Sequence, residues 1–331
     1  MRLTIISKIN YTKLLFAASK TSASSLKIFD RKTKLKQRNW AAAHPDFDVC
    51  QYVKDEIGYR VADKVFDLTK FNDIVLDLGC GGGHIGQHLI KENVGVLLQC
   101  DMSEGMIRKS KGAPEDELPT LRVIGDEEKV PFKSQSIDLI VTSLSAHWIN
   151  DLPGWFQRCY NILRPDGAII GALLAGDTLY QLRVALQLAE NERLGGMGTH
   201  ISPFIDAQDI GGLMNKAGFE MITLDSDELE IGYPNMFALL YDLQIMAESN
   251  STIKRTASLR KDVLIAADSI YRIMYASENG YPATFQIYSF IGWRPGQKGP
   301  QKAAKRGSQN VSFKDLSEVI ENPDKFVPSK K

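Results

Sequence analysis

The chain has 331 residues, 44% hydrophobic and 24% charged, and its 40 basic and 40 acidic side chains cancel to a net charge of zero. That composition excludes a disordered chain, a collagen-like repeat and a disulfide scaffold, and leaves one large domain or two small ones around a sizeable core. Neutrality argues against wholesale nucleic-acid binding, and no apolar stretch approaches the ~20 residues that span a bilayer. The four cysteines, Cys50, Cys80, Cys100 and Cys159, form no CxxC pair and have no histidine at zinc-ligand spacing. They predict neither a metal site nor a disulfide, and a reducing compartment.

The N-terminal segment, residues 1–26, is basic, rich in Ser and Thr and free of acids, which predicts a mitochondrial transit peptide. An N-terminal helical extension follows over 27–70. It opens with Arg31, Lys32, Lys34, Lys36 and Arg38, read as a solvated helix face. Contact with RNA or an anionic membrane surface is the alternative, and the lack of interleaved aromatics disfavours nucleic acid. His44-Pro45-Asp46 has the H-x-D spacing of an iron site, but with no third histidine nearby it reads as a turn. Val53, Ile57, Val61 and Val65 recur every four residues, so 51–66 is an amphipathic helix.

From residue 71 to 293 strands alternate with helices. Strands are expected at 74–78, 94–100, 121–124, 137–142 and 168–173, the last preceded by a turn at Leu163-Arg164-Pro165-Asp166-Gly167. Helices are expected at 85–92, from Gly105 onward and at 207–218. A further strand at 219–224, a helical insertion at about 233–282 and a final strand at 283–293 complete the pattern. It predicts an α/β fold with a doubly wound, mostly parallel, seven-stranded sheet. Residues 294–331, rich in Pro, Gly and Lys at their start, read as a solvated tail with a short helix capped by Ser312.

The glycine cluster carries the first chemical signal. Asp77-Leu78-Gly79-Cys80-Gly81-Gly82-Gly83 follows a strand directly, where the backbone must turn sharply and lie against a ligand. Gly81, Gly83 and Gly86 also fit the dinucleotide fingerprint, with Asp101 about twenty residues on for ribose hydroxyls. A pyrophosphate, however, would be repelled by Asp77. S-adenosylmethionine carries a sulfonium and an ammonium and is favoured by that acid. Asp126 and Glu127, after the third strand, can take an adenine amino group. The predicted cofactor contacts are therefore Asp77, Gly79, Gly81, Gly83, Asp101, Met102, Asp126, Glu127 and Ser143. As an ordered set these motifs resemble the class I S-adenosylmethionine-dependent methyltransferases.

The acceptor side is less explicit, because methyl transfer to a good nucleophile is largely positioning. Ser143 to Trp148 lacks the Asn/Asp-Pro-Pro-aromatic segment of base methylation and has no Pro-Cys. His147 is a candidate general base. Asp177 and His200 are further candidates, flanking a segment 178–198 that could close over the pocket, or form a surface helix and Gly-rich loop.

Segments outside the cofactor motifs narrow the resemblance. They are Ile28-Phe29-Asp30-Arg31, Asn39-Trp40-Ala41-Ala42, Leu144 to Pro153, Gly176 to Tyr180, His200 to Phe204, Ala247-Glu248-Ser249-Asn250 and Pro282 to Tyr288. Through them the chain resembles the methyltransferase-like assembly factors of mitochondrial respiratory complex I, described as protein arginine hydroxylases. A looser likeness joins it to the bacterial carboxylate methyltransferase of biotin synthesis. The closer resemblance implies a matrix protein peripheral to the inner membrane. It implies an arginine of the iron–sulfur subunit of the quinone module as substrate, and a small cysteine-rich assembly factor as partner. Gly82 and His84 stand where that family often has an arginine and an aromatic. Hydroxylation needs an oxidant, and the residues point to an S-adenosylmethionine pocket without naming one. Methylation of a carboxylate or other small acceptor, and a non-catalytic scaffold docking through helices of 236–275, remain the alternatives.

Overall fold

The computed structural model describes residues 27–113, 118–196, 198–255 and 258–296. The expectations for residues 1–26, for Ser312 and for most of the tail lie outside the described residues. Seven strands form one sheet in the order β3-β2-β1-β4-β5-β7-β6. They are β1 (Asn72–Leu78), β2 (Val94–Asp101), β3 (Thr120–Ile124), β4 (Ile137–Ser143), β5 (Leu163–Leu174), β6 (Glu220–Tyr233) and β7 (Tyr281–Trp293). Strands β1 to β5 are parallel, and β7 runs antiparallel to both β5 and β6. This is the doubly wound sheet the alternation predicts.

Because side chains alternate along a strand, each central strand feeds two cores. Val75, Leu97, Leu139, Val141, Ile170 and Ala172 face one side, under α2 (Tyr52–Phe66), α5 (Tyr180–Leu194), α7 (Met236–Ile245) and α8 (Lys261–Tyr275). Ile74, Leu76, Leu98, Ile140, Ile169 and Leu173 face the other, under α4 (Leu152–Ile162) and α6 (Ala207–Ala217). Burial on both faces explains why these strands read as continuous apolar runs. On α4, Trp155, Phe156, Cys159 and Ile162 are all buried. Phe156 meets Trp155, Phe219 and Phe290 edge-on, each pair stabilising the packing beyond its buried area.

The helix expected from Gly105 onward is α3 (Glu104–Lys109), and several other boundaries differ from the sequence reading. The helix expected at 85–92 is a single tight turn, Gly86–His88, after which Leu89 becomes extended. Gly86 lowers helix propensity there, and it packs against Leu97 and the Gln99 amide with no room for a side chain. The turn expected at 163–167 lies within β5, which is kinked with Asp166 in the left-handed region at φ +65°. Strand β6 runs to Tyr233, and the insertion is a pair of helices interrupting its hairpin with β7 at the Tyr233–Tyr281 pair.

The largest correction concerns the cationic run. Helix α1 (Arg31–Ala43), capped by the Asp30 carboxylate on the Lys32 and Thr33 N–H groups, does carry it. It is not a solvated face. Lys34 and Arg38 are buried and Arg31 is mostly so, while Lys32 and Lys36 face solvent. Positions i, i+3 and i+7 share one face of a helix, and here that face turns inward onto acids.

Candidate functional site

The site lies at the carboxyl ends of β1, β2 and β4, where a doubly wound sheet binds ligands. After β1 the chain turns back sharply: the Gly79 and Cys80 N–H groups both donate to the Cys100 carbonyl, at 2.7 and 3.0 Å. Gly79 and Gly83 adopt φ of +77° and +84°, and a Cβ at Gly83 would run into the Lys111 backbone. Glycine is therefore required at both by conformation. The Gly81 N–H donates to Asp101 Oδ2 at 3.1 Å, tying the loop to the end of β2.

Asp101 is fully buried at that strand end and also accepts from the Ser103 N–H at 2.8 Å. Asp77 lies beside it, 1% exposed, with neither carboxylate oxygen partnered. Burial and the Asp101 charge push its carboxyl up to about 8. Asp77 thus prefers its protonated form in the fold and its ionised form once unfolded. Its contribution to stability is complete below pH ~4 and is lost as the pH rises to about 8. The expected slope is about 1.4 kcal/mol per pH unit across that window. Asp77→Asn should flatten it, which denaturation at a series of pH values measures.

Glu127 is also buried. Arg38 and Arg31 together outweigh the effect of burial and hold its carboxyl at about 2. Arg31 Nη2 lies 2.9 Å from both Asp126 Oδ1 and Glu127 Oε1. Arg38 Nη1 lies 3.3 and 3.2 Å from the two Asp101 oxygens and 2.7 Å from Glu127 Oε1, and its Nη2 donates to Ser145 Oγ at 3.1 Å. Burial opposes the Arg38 charge, but the two carboxylates more than restore it. Glu127 Oε2 and Ser143 Oγ are buried without partners. Met102 is half-buried next to Asp101. The structure therefore gathers the predicted Asp77, glycine, Asp101, Glu127 and Ser143 positions at one end of the sheet, with Asp126 at the edge on Arg31.

The same sheet end carries a second group of side chains. Glu248, on the loop after α7, pairs with Lys54 through Oε1 at 2.9 Å. Its Oε2 accepts from Trp148 Nε1 at 2.9 Å and lies 3.1 Å from His147 Nε2. Burial alone would raise the Glu248 carboxyl, but Lys54, His147 and Lys34 drive it well below the usual range. Burial lowers His147, so its imidazole is neutral at neutral pH, with Nε2 donating to Glu248 and a buried, unpartnered Nδ1. Lys34 reaches the same place: its Nζ donates to the Ala247 and Ser249 carbonyls at 2.9 Å and sits 3.3 Å above the Trp148 ring.

Beyond Glu248 lies a cavity of about 290 Å³ with an apolar floor that includes Leu174, Leu243 and Phe285, and with His200 and Glu248 in its wall. His200 Nε2 is 2.9 Å from Glu190. His147 is not among the lining side chains, and Asp177 is exposed, its N–H on the Gln286 side chain at 3.0 Å. The three acceptor-side candidates are thus not brought together. Segment 178–198 is mostly α5, packed between β7 and α8. Arg31, Lys34 and Arg38, which the sequence suggests form a solvated face, and Lys54, Ser145 and Glu248, to which it assigns no role, carry most of the site's charge and hydrogen bonding. The i, i+3, i+7 spacing of the first three was the available signal.

A site of acids and glycines at the ends of β1 and β2, on this strand order, defines the methyltransferase class of α/β fold. A family described as "Methyltransferase domain" matches residues 76–171. A Bacillus halodurans crystal structure described as a methyltransferase superposes with a TM-score of 0.51 at 16% identity, over 71% of this chain and 99% of that one. The human protein named "Arginine-hydroxylase NDUFAF5, mitochondrial" is 48% identical over 300 residues, 90% of this chain and 86% of the relative. A Methylovorus malonyl-[acyl-carrier protein] O-methyltransferase is 26% identical over 267 residues, 78% of this chain and 88% of that protein. The chain belongs to the NDUFAF5 arginine-hydroxylase family.

Proposed function

We propose that the chain is a mitochondrial protein arginine hydroxylase that binds S-adenosylmethionine. Its substrate in this reading is an arginine of the iron–sulfur subunit of the complex I quinone module, modified early in assembly. It works in the matrix, peripheral to the inner membrane, with a small cysteine-rich assembly factor as partner. The observation that carries this reading is the 48% identity, over most of both chains, to the human arginine hydroxylase.

The donor set suits the cofactor. Asp77, buried with two unpartnered oxygens, suits an ammonium, whose charge would favour its ionised form. Asp101 suits ribose hydroxyls, and the unpartnered Glu127 Oε2 suits an adenine amino group. Bound there, S-adenosylmethionine would supply an electrophilic methyl group or a cationic structural ligand. Hydroxylation inserts one oxygen atom and calls for an oxidant, and the described residues identify no group that supplies it.

The test is the peptide mass of the iron–sulfur subunit isolated with and without this protein. Loss of one oxygen atom's mass from one arginine, when the protein is absent, is the expected result. Loss of one CH2 unit's mass instead, the difference a methyl group makes in place of a hydrogen, would return the chain to methyl transfer. An unchanged subunit, with assembly still lost, would favour a scaffold working through the helices of 236–275.

A further inference from the structure

The guanidinium of Arg38 and the ribose of a nucleoside cofactor compete for one carboxylate. Arg38 Nη1 occupies lone pairs of both Asp101 oxygens, which two ribose hydroxyls would need. With Arg38 in place, the cavity over Gly79, Gly81 and Ser143 measures about 20 Å³. That is room for about one water, whereas ligand pockets run from roughly 300 Å³ upward. A nucleoside can enter only if Arg38 leaves Asp101.

The helix itself is held in place. Lys34 grips the Ala247 and Ser249 carbonyls, Gln37 donates to the Asn250 carbonyl, and the Asp30 N–H bonds to the Ser251 carbonyl at 2.7 Å. The exchange is therefore a rotation of the Arg38 side chain. A guanidinium stays charged at any working pH, and a buried charge stripped of its counter-ion is strongly disfavoured. Arg38 is 6% exposed and needs a new anion when it moves. Glu127 Oε1 is already shared with Arg31. S-adenosylmethionine brings one anion of its own, the carboxylate of its methionyl arm.

The other cations around the cavity are committed. Lys54, in its wall, is bound to Glu248 and to the Met246 carbonyl. His84, also in the wall, is kept neutral by burial and lies 2.7 Å from Asp55. Resting on the reading of this pocket as an S-adenosylmethionine site, we propose that Arg38 is an exchange residue. The ribose takes its place on Asp101, and Arg38 re-pairs with the methionyl carboxylate of the cofactor.

The test is calorimetric titration of the full chain with S-adenosylmethionine and with decarboxylated S-adenosylmethionine, for wild type, Arg38→Ala and Arg38→Lys. Wild type should bind the decarboxylated ligand at least about tenfold more weakly, the worth of one charge-assisted pair. Arg38→Ala should bind both ligands alike, and Arg38→Lys should keep part of the preference. The preference is a ratio within one protein, so a loss of stability in a variant does not imitate it, and the wild-type comparison needs no variant. Equal binding of the two ligands by wild type, or an undiminished preference in Arg38→Ala, overturns the exchange while leaving the cofactor reading intact. Failure of wild type to bind S-adenosylmethionine at all overturns both.

Discussion

Glu248→Gln is expected to lower the stability of the fold by about 3–5 kcal/mol, the range for removing one partner of a buried ion pair. The carboxylate faces two ammonium groups. Lys54 pairs with it directly, and Lys34, fully buried, has among the described residues two carbonyls and the Trp148 ring as partners of its own. Burial depresses the Lys34 charge, and Glu248 is the principal group that supports it. Glutamine keeps the size of the side chain and can still meet Trp148, so the loss reports the charge. Because the folded-state pKa of Glu248 is depressed, its contribution is complete above pH ~4.5 and fades as the pH falls toward its lower folded value. The gap between wild type and variant should therefore narrow in acid. Adding Lys54→Met should cost less than the sum of the two single changes, since the second removes a cation the first left unpaired. Chemical denaturation at pH 7 and pH 4 reads all of this. A change below about 1 kcal/mol at pH 7 would mean that buried Lys34 sheds its charge once Glu248 is gone.

Legibility in the sequence follows the range of the forces involved. Strand β1, the glycine loop and β2 are local features: apolar runs, a conformational need for glycine, and acids at strand ends. Each is visible within about ten residues, and Asp77, Gly79, Asp101 and Glu127 are gathered as their spacing implies. The orientation of α1 is different. Its helix is readable, but whether Arg31, Lys34 and Arg38 point outward depends on Asp101, Glu127 and the Ala247 carbonyl, which stand 63, 89 and 213 residues away. A cationic stripe on an isolated helix looks solvated, and only the tertiary acids turn it inward. Helix α4 is absent from the sequence reading although its signals are local. Asp151 caps it by accepting from the Gly154 N–H, Pro153 stands in its first turn, and Trp155, Phe156, Cys159 and Ile162 mark its inner face. The short Gly86–His88 turn reads as a helix in the sequence because apolar Ile85, Leu89 and Ile90 imitate a helical face, while Gly86 opposes one.

Asp101→Ala is the change expected to separate cofactor binding from folding most cleanly. Two ribose hydroxyls on an ionised carboxylate are worth about 1.5–3 kcal/mol each. In the wild type part of that gain is offset by moving Arg38 off the same oxygens. The net expectation is an affinity for S-adenosylmethionine weaker by about 100-fold. The folding cost should be about 1–3 kcal/mol. Arg38 loses both Asp101 oxygens but keeps its 2.7 Å contact with Glu127, and the Gly81 and Ser103 N–H groups lose the acceptor they share. The loop after β1 remains fixed by the two N–H groups donated to the Cys100 carbonyl. Asp101→Asn should fall between, since its amide oxygen can accept from one hydroxyl or from one backbone N–H but holds no charge for Arg38. Titration calorimetry gives the affinity and chemical denaturation the stability on the same samples. If the alanine variant stays folded and binds S-adenosylmethionine as tightly as wild type, the ribose does not rest on the end of β2. Arg38 would then have no reason to leave it.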